Sequence, residues 1–246
     1  MARQRHLSRA PIREAVLDVR IPDAGIERVD TLRASLPTLG DFSQVHNMKR
    51  GAFVVEFSAD RPPETRSMEG EPVGVRATSR DEHWVVQLRR DGLTFSRLPP
   101  YPNWHEFSSR AKPFLSAFLA VTRPPYVERL ALRYINHFRL PYPADMNEYF
   151  IGLPVVPDTL PQFTSNMLSR VTIHDPDRDF TAHITQGLLD DLDPEKIAFI
   201  LDIDVFQTAE FAPVEEKLWE TLEDLRGFKN QVFFELITER NAEAHE

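Results

Sequence analysis

Asp202 and Asp204, in the run Leu201, Asp202, Ile203, Asp204, Val205, are the side chains of this sequence best spaced to do chemistry together. Alternate residues of a strand leave by the same face, so the two carboxylates project side by side. Paired carboxylates are oxygen donors of the kind Mg²⁺ takes. The same face can instead be neutralised by Arg129 and Arg133, an even number of residues apart on a strand of their own, since a guanidinium fork matches a carboxylate. No third ligand is identifiable from spacing, so no metal is expected. Alternation along the run Arg133, Tyr134, Ile135, Asn136 puts Arg133 and Ile135 on one face and Tyr134 and Asn136 on the other. Asn136 and His137 either orient a ligand or satisfy backbone groups of a buried strand. The candidate ligand-binding set is Arg129, Arg133, Asn136, Asp202 and Asp204.

Other reactive residue types form weaker patterns. His174 and His183 flank a hairpin signal. Simple pairing sets His174 opposite Phe180 and His183 opposite Val171, so the imidazoles do not converge as zinc would require. Trp104, Phe107, Trp219 and Phe228 stand at helical spacing, as core or as pocket lining. Glu215, Glu216, Glu220, Glu223 and Asp224 make one acidic run, either a solvated face or a dock for a basic partner. No Ser-His-Asp set, nucleophile elbow, P-loop or dinucleotide glycine pattern occurs. With nine glycines in 246 residues there is little from which to build a phosphate cradle. No cofactor is expected, and the reading leans away from catalysis.

Formal net charge is −9, which argues against nucleic acid as a partner, because binding a phosphate backbone rewards clustered cations. Only five of the 29 basic residues are lysines. That skew reads as a GC-rich genome, or as arginines used for bidentate contacts that lysine cannot make. Cysteine is absent, which removes disulfides and thiolate chemistry. The basic start is not followed by an apolar core, and no apolar run approaches the ~20 residues of a membrane span. The expectation is a soluble cytoplasmic protein without membrane association. Its partner would be another protein or a small ligand, and self-association is compatible with the composition.

These residues need elements to hold them. Alternation predicts strands over 15–21, 53–57, 73–78, 84–89, 93–98, 127–140, 168–174, 180–186 and 197–206. Helical spacing predicts helices over 26–36, from Trp104 to about 121 with a kink at Pro113, and from Pro213 to about 237 along the stripe Leu218, Leu222, Leu225, Val232 and Leu236. Asn103 is the expected N-cap of the second helix, with Glu106 three residues on. Residues 61–72 read as a loop from their prolines and Gly70, 141–164 as a long irregular connection with one short helix near 145–150, and 241–246 as a frayed tail.

Residues 12–121 and 127–240 share one order: strand, short helix, several strands, long helix. The expected class is α+β, with two similar halves, 1–123 and 124–246, meeting at Arg123, Pro124 and Pro125. They would share a mainly antiparallel sheet packed by two long helices. That doubled order is similar to the saddle-shaped TATA-binding-protein fold, an analogy of architecture that does not give function.

Five segments, APIREAVLDVR (10–20), YPNWHEF (101–107), RLALRYIN (129–136), LDIDV (201–205) and GFKN (227–230) with Thr238 and Glu239, carry a second likeness. Together they resemble a sporadically distributed bacterial family of proteins of roughly 250 residues with no assigned activity. The resemblance spans nearly the whole chain. It implies a prokaryotic protein and transfers no catalytic residues.

Three functions follow as expectations. The first is a non-catalytic interaction or ligand-sensing protein, an accessory factor in a mobile or defence-type gene cluster. The second is an enzyme or ligand binder using a cleft between sheet and helices lined by Arg133, Asn136, Asp202 and Asp204. The third is nucleic-acid binding through a saddle-shaped sheet, which would need a positive stripe with exposed aromatics.

Overall fold

One row of side chains, Val45, Ala77, Val86, Phe95, Leu17, Leu132, Val205, Ala182 and Ile173, crosses nine strands in register. The adjacent row, His46, Arg76, Gln87, Thr94, Asp18, Ala131, Phe206, Thr181 and His174, faces the other way and is largely polar. Period-two alternation thus gives the sheet one apolar face and one polar face.

The computed structural model describes the chain apart from residues 52, 59, 60, 68 and 69, and of residues 52–69 only backbone elements are described. In chain order the elements are β1 (Ile12–Arg20), α1 (Ile26–Leu39), β2 (Phe42–Arg50), β3 (Phe53–Ser58), β4 (Arg61–Ser67), β5 (Glu71–Ser79), β6 (Trp84–Arg89), β7 (Gly92–Arg97) and α2 (Trp104–Thr122). There follow β8 (Val127–Pro141), a 3₁₀ turn at Met146–Glu148, β9 (Leu168–Asp175), β10 (Phe180–Leu189), β11 (Lys196–Phe211), α3 (Glu215–Leu236) and α4 (Glu239–Glu243). The fold is α+β. Nine strands form one antiparallel sheet in the order β2-β5-β6-β7-β1-β8-β11-β10-β9, and β3 pairs with β4 apart from it. β1 lies between β7 and β8, so the sheet is continuous across residues 123–125.

The apolar face is covered by α1, α2 and α3. α2 brings Phe107 and Phe114 onto Phe95, with ring centroids 5.8 and 5.1 Å apart, and Phe107 also stacks on Trp84. α3 lies over β8 and β11, and its Phe228 meets Phe180 of β10. Each fully buried phenylalanine contributes roughly 2–3 kcal/mol by removal of apolar area from water. Asn103 caps α2 by accepting a 2.9 Å bond from the Glu106 amide. Asn103→Ala is expected to cost ~1 kcal/mol, seen as a lower urea midpoint at unchanged slope. An unmoved midpoint would mean that the cap contributes nothing. Among the described residues no helix is long and apolar enough to cross a membrane.

Three local expectations are corrected, and one strand is added that alternation did not predict. Residues 42–50 form β2, an edge strand whose side chains are exposed or half-buried on both faces, which hides the alternation. Residues 61–67 form β4 rather than a loop, paired among the described residues with β3 alone, a setting that tolerates prolines lacking an N–H. The tail is not frayed: Asn241 and Ala242 are fully buried, Asn241 Nδ2 donates to the Tyr149 carbonyl, and the Arg9 amide donates to the His245 carbonyl. The β9–β10 hairpin is one residue out of the expected register, with Thr181 opposite His174 and Thr172 opposite His183. Its turn closes on Asp175, whose carboxylate accepts the amides of Asp177 and Arg178, while Asp179 takes φ 55°.

Candidate ligand-binding site

On the polar face β1, β6, β8 and β11 align the charged residues, and β7 adds the Thr94 hydroxyl. Arg133 grips Asp202 through Nε (2.8 Å) and Nη2 (2.5 Å). Arg129 Nη2 donates to both oxygens of Asp204 (3.2 and 3.0 Å), and its Nη1 reaches Asp18 at 3.2 Å. Asp18 is the hub: it also accepts from Thr94 Oγ1 (2.7 Å), Arg20 Nε (2.9 Å) and Arg89 Nη2 (3.1 Å). Arg89 and Asp18 side chains are only 10% and 13% exposed, so this pairing is largely shielded from water. Burial pushes the Asp18 carboxyl up, but the Thr94 hydroxyl and the Arg20 and Arg89 guanidinia outweigh it and hold it below the ordinary range. Asp204 goes the other way: burial raises it despite Arg129 and Arg133.

The two aspartates therefore do project together, as alternation requires, but their oxygens are taken by arginines. Among the described residues no group of three acidic or histidine side chains could hold a metal. Asn136 is not with them. It lies on the helix side of β8, buried, with Nδ2 donating to the carbonyls of Tyr134 and Leu201. A single cleft lined by Arg133, Asn136, Asp202 and Asp204 is thus not formed, because strand alternation sends Asn136 to the opposite side of the sheet. Nor is the polar face a positive stripe. Its central arginines Arg20, Arg89, Arg129 and Arg133 are paired with aspartates, and Phe206 lies beneath the Arg129 guanidinium and against His183.

The helix side holds a cleft of about 380 Å³. β8 supplies Tyr134 and Asn136, the entry to α2 supplies Tyr101, Asn103 and Trp104, α3 supplies Arg226, Lys229, Asn230, Phe233 and Phe234, and residues 4–12 line the remaining wall. The N-terminal wall is anchored by the Ala2 amide on the Phe234 and Ile237 carbonyls and by Arg5 on Glu239. Lys229 is buried, 4.0 Å from the centre of the Tyr134 ring, with Nζ donating to Asn230 Oδ1 at 2.5 Å. Among the described residues no carboxylate pairs with it. Burial, helped by nearby Arg226, pulls its pKa down to about 7. Arg226 is already paired with Glu223, which also accepts from the Trp104 indole N–H.

The Tyr101 and Tyr134 hydroxyls lie 3.1 Å apart. Burial raises both, Tyr101 to about 12, so both stay protonated near neutral pH. Two hydroxyls sharing one hydrogen bond leave one O–H hydrogen over.

No family model, no curated protein and no solved structure matches the chain.

Four of the five segments named above for their likeness (10–20, 101–107, 129–136 and 227–230) meet in this cleft. The fifth touches it through the Asn136–Leu201 bond. Trp104 lines the cleft, whereas Phe107, Trp219 and Phe228 belong to the buried core. Of the acidic run on α3, Glu216, Glu220 and Asp224 are solvated, while Glu215 binds the Ser116 hydroxyl. Sequence reasoning missed Lys229. The signal was present: it falls four residues after Leu225 and three before Val232, within the buried stripe of α3.

Proposed function

We propose that this protein is a non-catalytic ligand-sensing module that takes a small organic anion in the cleft around Lys229. The observation that carries this reading is a buried ammonium-bearing side chain that faces a cleft with no carboxylate of its own among the described residues. A buried cation is costly unless paired, and an incoming carboxylate supplies the missing partner. Tyr134, Trp104 and Phe233 offer apolar walls for its carbon skeleton, and the spare tyrosine hydrogen and Asn230 offer polar contacts.

Thermal unfolding at pH 6.5 with pyruvate, glyoxylate, benzoate or inorganic phosphate tests it. At least one organic carboxylate is expected to stabilise the protein by RT ln(1 + [L]/Kd), about 2.7 kcal/mol at a hundredfold excess over Kd, and Lys229→Met should abolish the effect. Anion binding requires the protonated lysine, so affinity should fall about tenfold per pH unit above pH 7. Equal stabilisation of wild type and Lys229→Met would sink the reading.

A duplicated ancestry belongs to the same proposal. Outward from the β1–β8 contact the strands run β1, β7, β6, β5, β2 on one side and β8, β11, β10, β9 on the other. A long helix follows β7 and another follows β11. This mirrored order supports two related halves with the TATA-binding-protein-like plan, and the likeness of segments supports kinship with the bacterial family that the chain resembles. A superposition in which β1, β5–β7 and α2 failed to fall on β8–β11 and α3 would remove the duplication.

A further inference from the structure

We infer that the ligand is a small 2-oxo carboxylate and that Lys229 captures it reversibly as an imine. This rests on the cleft reading above and adds a covalent bond to it.

The choice of residue type is the first argument. In this chain arginine does the work of holding charge: Arg20, Arg89, Arg129, Arg133 and Arg139 make the ion pairs of the polar face. Only five lysines occur, and Lys49, Lys112, Lys196 and Lys217 are all exposed. The one buried in the cleft is therefore a departure from the chain's own habit. Arginine matches it as a cation and exceeds it as a carboxylate fork, but arginine cannot be deprotonated in a protein. What lysine adds is a primary amine.

The setting is the second argument. Nζ sits over the Tyr134 ring with one neutral partner, Asn230, and among the described residues no acid to hold it as ammonium. Desolvation near another cation is the arrangement that frees an amine for attack, and near pH 7 both protonation states are populated. The ammonium form draws the carboxylate in, and the amine form attacks the adjacent carbonyl. The spare hydrogen of the Tyr101–Tyr134 pair is a donor for the carbonyl oxygen.

The step balances without a further reagent. The Nζ lone pair forms a C–N bond to the carbonyl carbon, and the C=O π pair moves to oxygen, which gains a proton while nitrogen loses one. The resulting carbinolamine takes up a second proton on oxygen, its C–O bond breaks, and water leaves. The product is a protonated imine beside the ligand's own carboxylate. Hydrolysis reverses the sequence, so the protein is a reversible receptor and not a catalyst.

The test treats the full-length protein at pH 7 with glyoxylate or pyruvate and sodium cyanoborohydride, which reduces an imine to a stable secondary amine, and then maps adducts by peptide mass spectrometry. The adduct is expected on Lys229 at least tenfold faster than on any of the four exposed lysines, with Lys229→Arg and Lys229→Met abolishing that fast phase. Thermal unfolding is run on the same samples without reductant. Stabilisation by the oxo acids with no adduct on Lys229 overturns the imine and leaves anion binding standing. Neither adduct nor stabilisation overturns both. Adducts spread evenly over the lysines overturn the imine as well. Lys229→Met guards against a variant that does not fold, since an apolar side chain of similar length fits the buried position.

Discussion

Asp18→Ala is expected to destabilise the protein by ~3–5 kcal/mol, the range for removing one partner from a largely buried ion-pair network. The size follows from what is left behind. Arg89, itself 10% exposed, and Arg20 and Arg129 all donate to Asp18, and Thr94 relays a bond from Arg89 Nη1 to the same carboxylate. Arg129 retains Asp204, and Arg20 and Arg89 retain Asp91, but Asp91 is 41% exposed and water-screened. The pH dependence has a definite sign. The Asp18 carboxyl is held below its unfolded value, so its contribution is fully present above about pH 4 and is lost as pH falls through the folded value. Urea unfolding at pH 7 and pH 3 should show the gap between wild type and variant narrowing in acid. Asp204→Asn supplies the contrast. Burial raises that carboxyl, so above both pKa values its ionised form subtracts from stability, and losing the charge should cost under about 1 kcal/mol. A loss below 1 kcal/mol for Asp18→Ala, or a larger loss for Asp204→Asn, would show the hub to be misplaced.

The hub was only partly legible in the sequence. Arg129, Arg133, Asp202 and Asp204 could be assigned to mutual pairing because strand alternation and even spacing suffice for two neighbouring strands. Asp18 escaped notice because its importance depends on β1 lying between β7 and β8, a non-local arrangement that no local period records. The strands with one wet and one dry face, β1, β8 and β11, were readable from alternation, and the Asn103 cap from its spacing to Glu106. Edge strand β2 was not, since neither of its faces is deeply buried. The ordered tail depended on contacts made across the whole length of the chain, such as Arg9 with His245. Asn136 was singled out for the right chemistry but placed with the wrong companions. It shares the cleft with Tyr101 and Lys229, brought in by the entry to α2 and by α3. In the sequence that convergence is visible only as unrelated short segments.

Lys229→Met should stabilise the ligand-free protein, against the usual direction of a substitution at a buried site. Holding this lysine near 7 against an ordinary value of 10.5 implies a penalty on the order of 4 kcal/mol near pH 7, at 1.36 kcal/mol per unit. Against it stand the bond to Asn230 and the cation–π contact with Tyr134, each worth roughly 1 kcal/mol. Methionine keeps the length and apolar stem, so a net gain of about 2–3 kcal/mol at pH 7 is the expected result. The sign with pH is fixed by proton counting. Between the folded and unfolded values the unfolded chain binds the extra proton, so wild-type stability rises with pH by about 1.4 kcal/mol per unit relative to the variant. The advantage of methionine should therefore be largest at and below pH 7 and close towards pH 10. Urea midpoints of both proteins at pH 6, 7.5 and 9 measure it. A variant that is less stable than wild type at every pH, or an advantage that does not change with pH, would show that Lys229 is already satisfied, and the cleft would then lose the unpaired amine on which ligand capture depends.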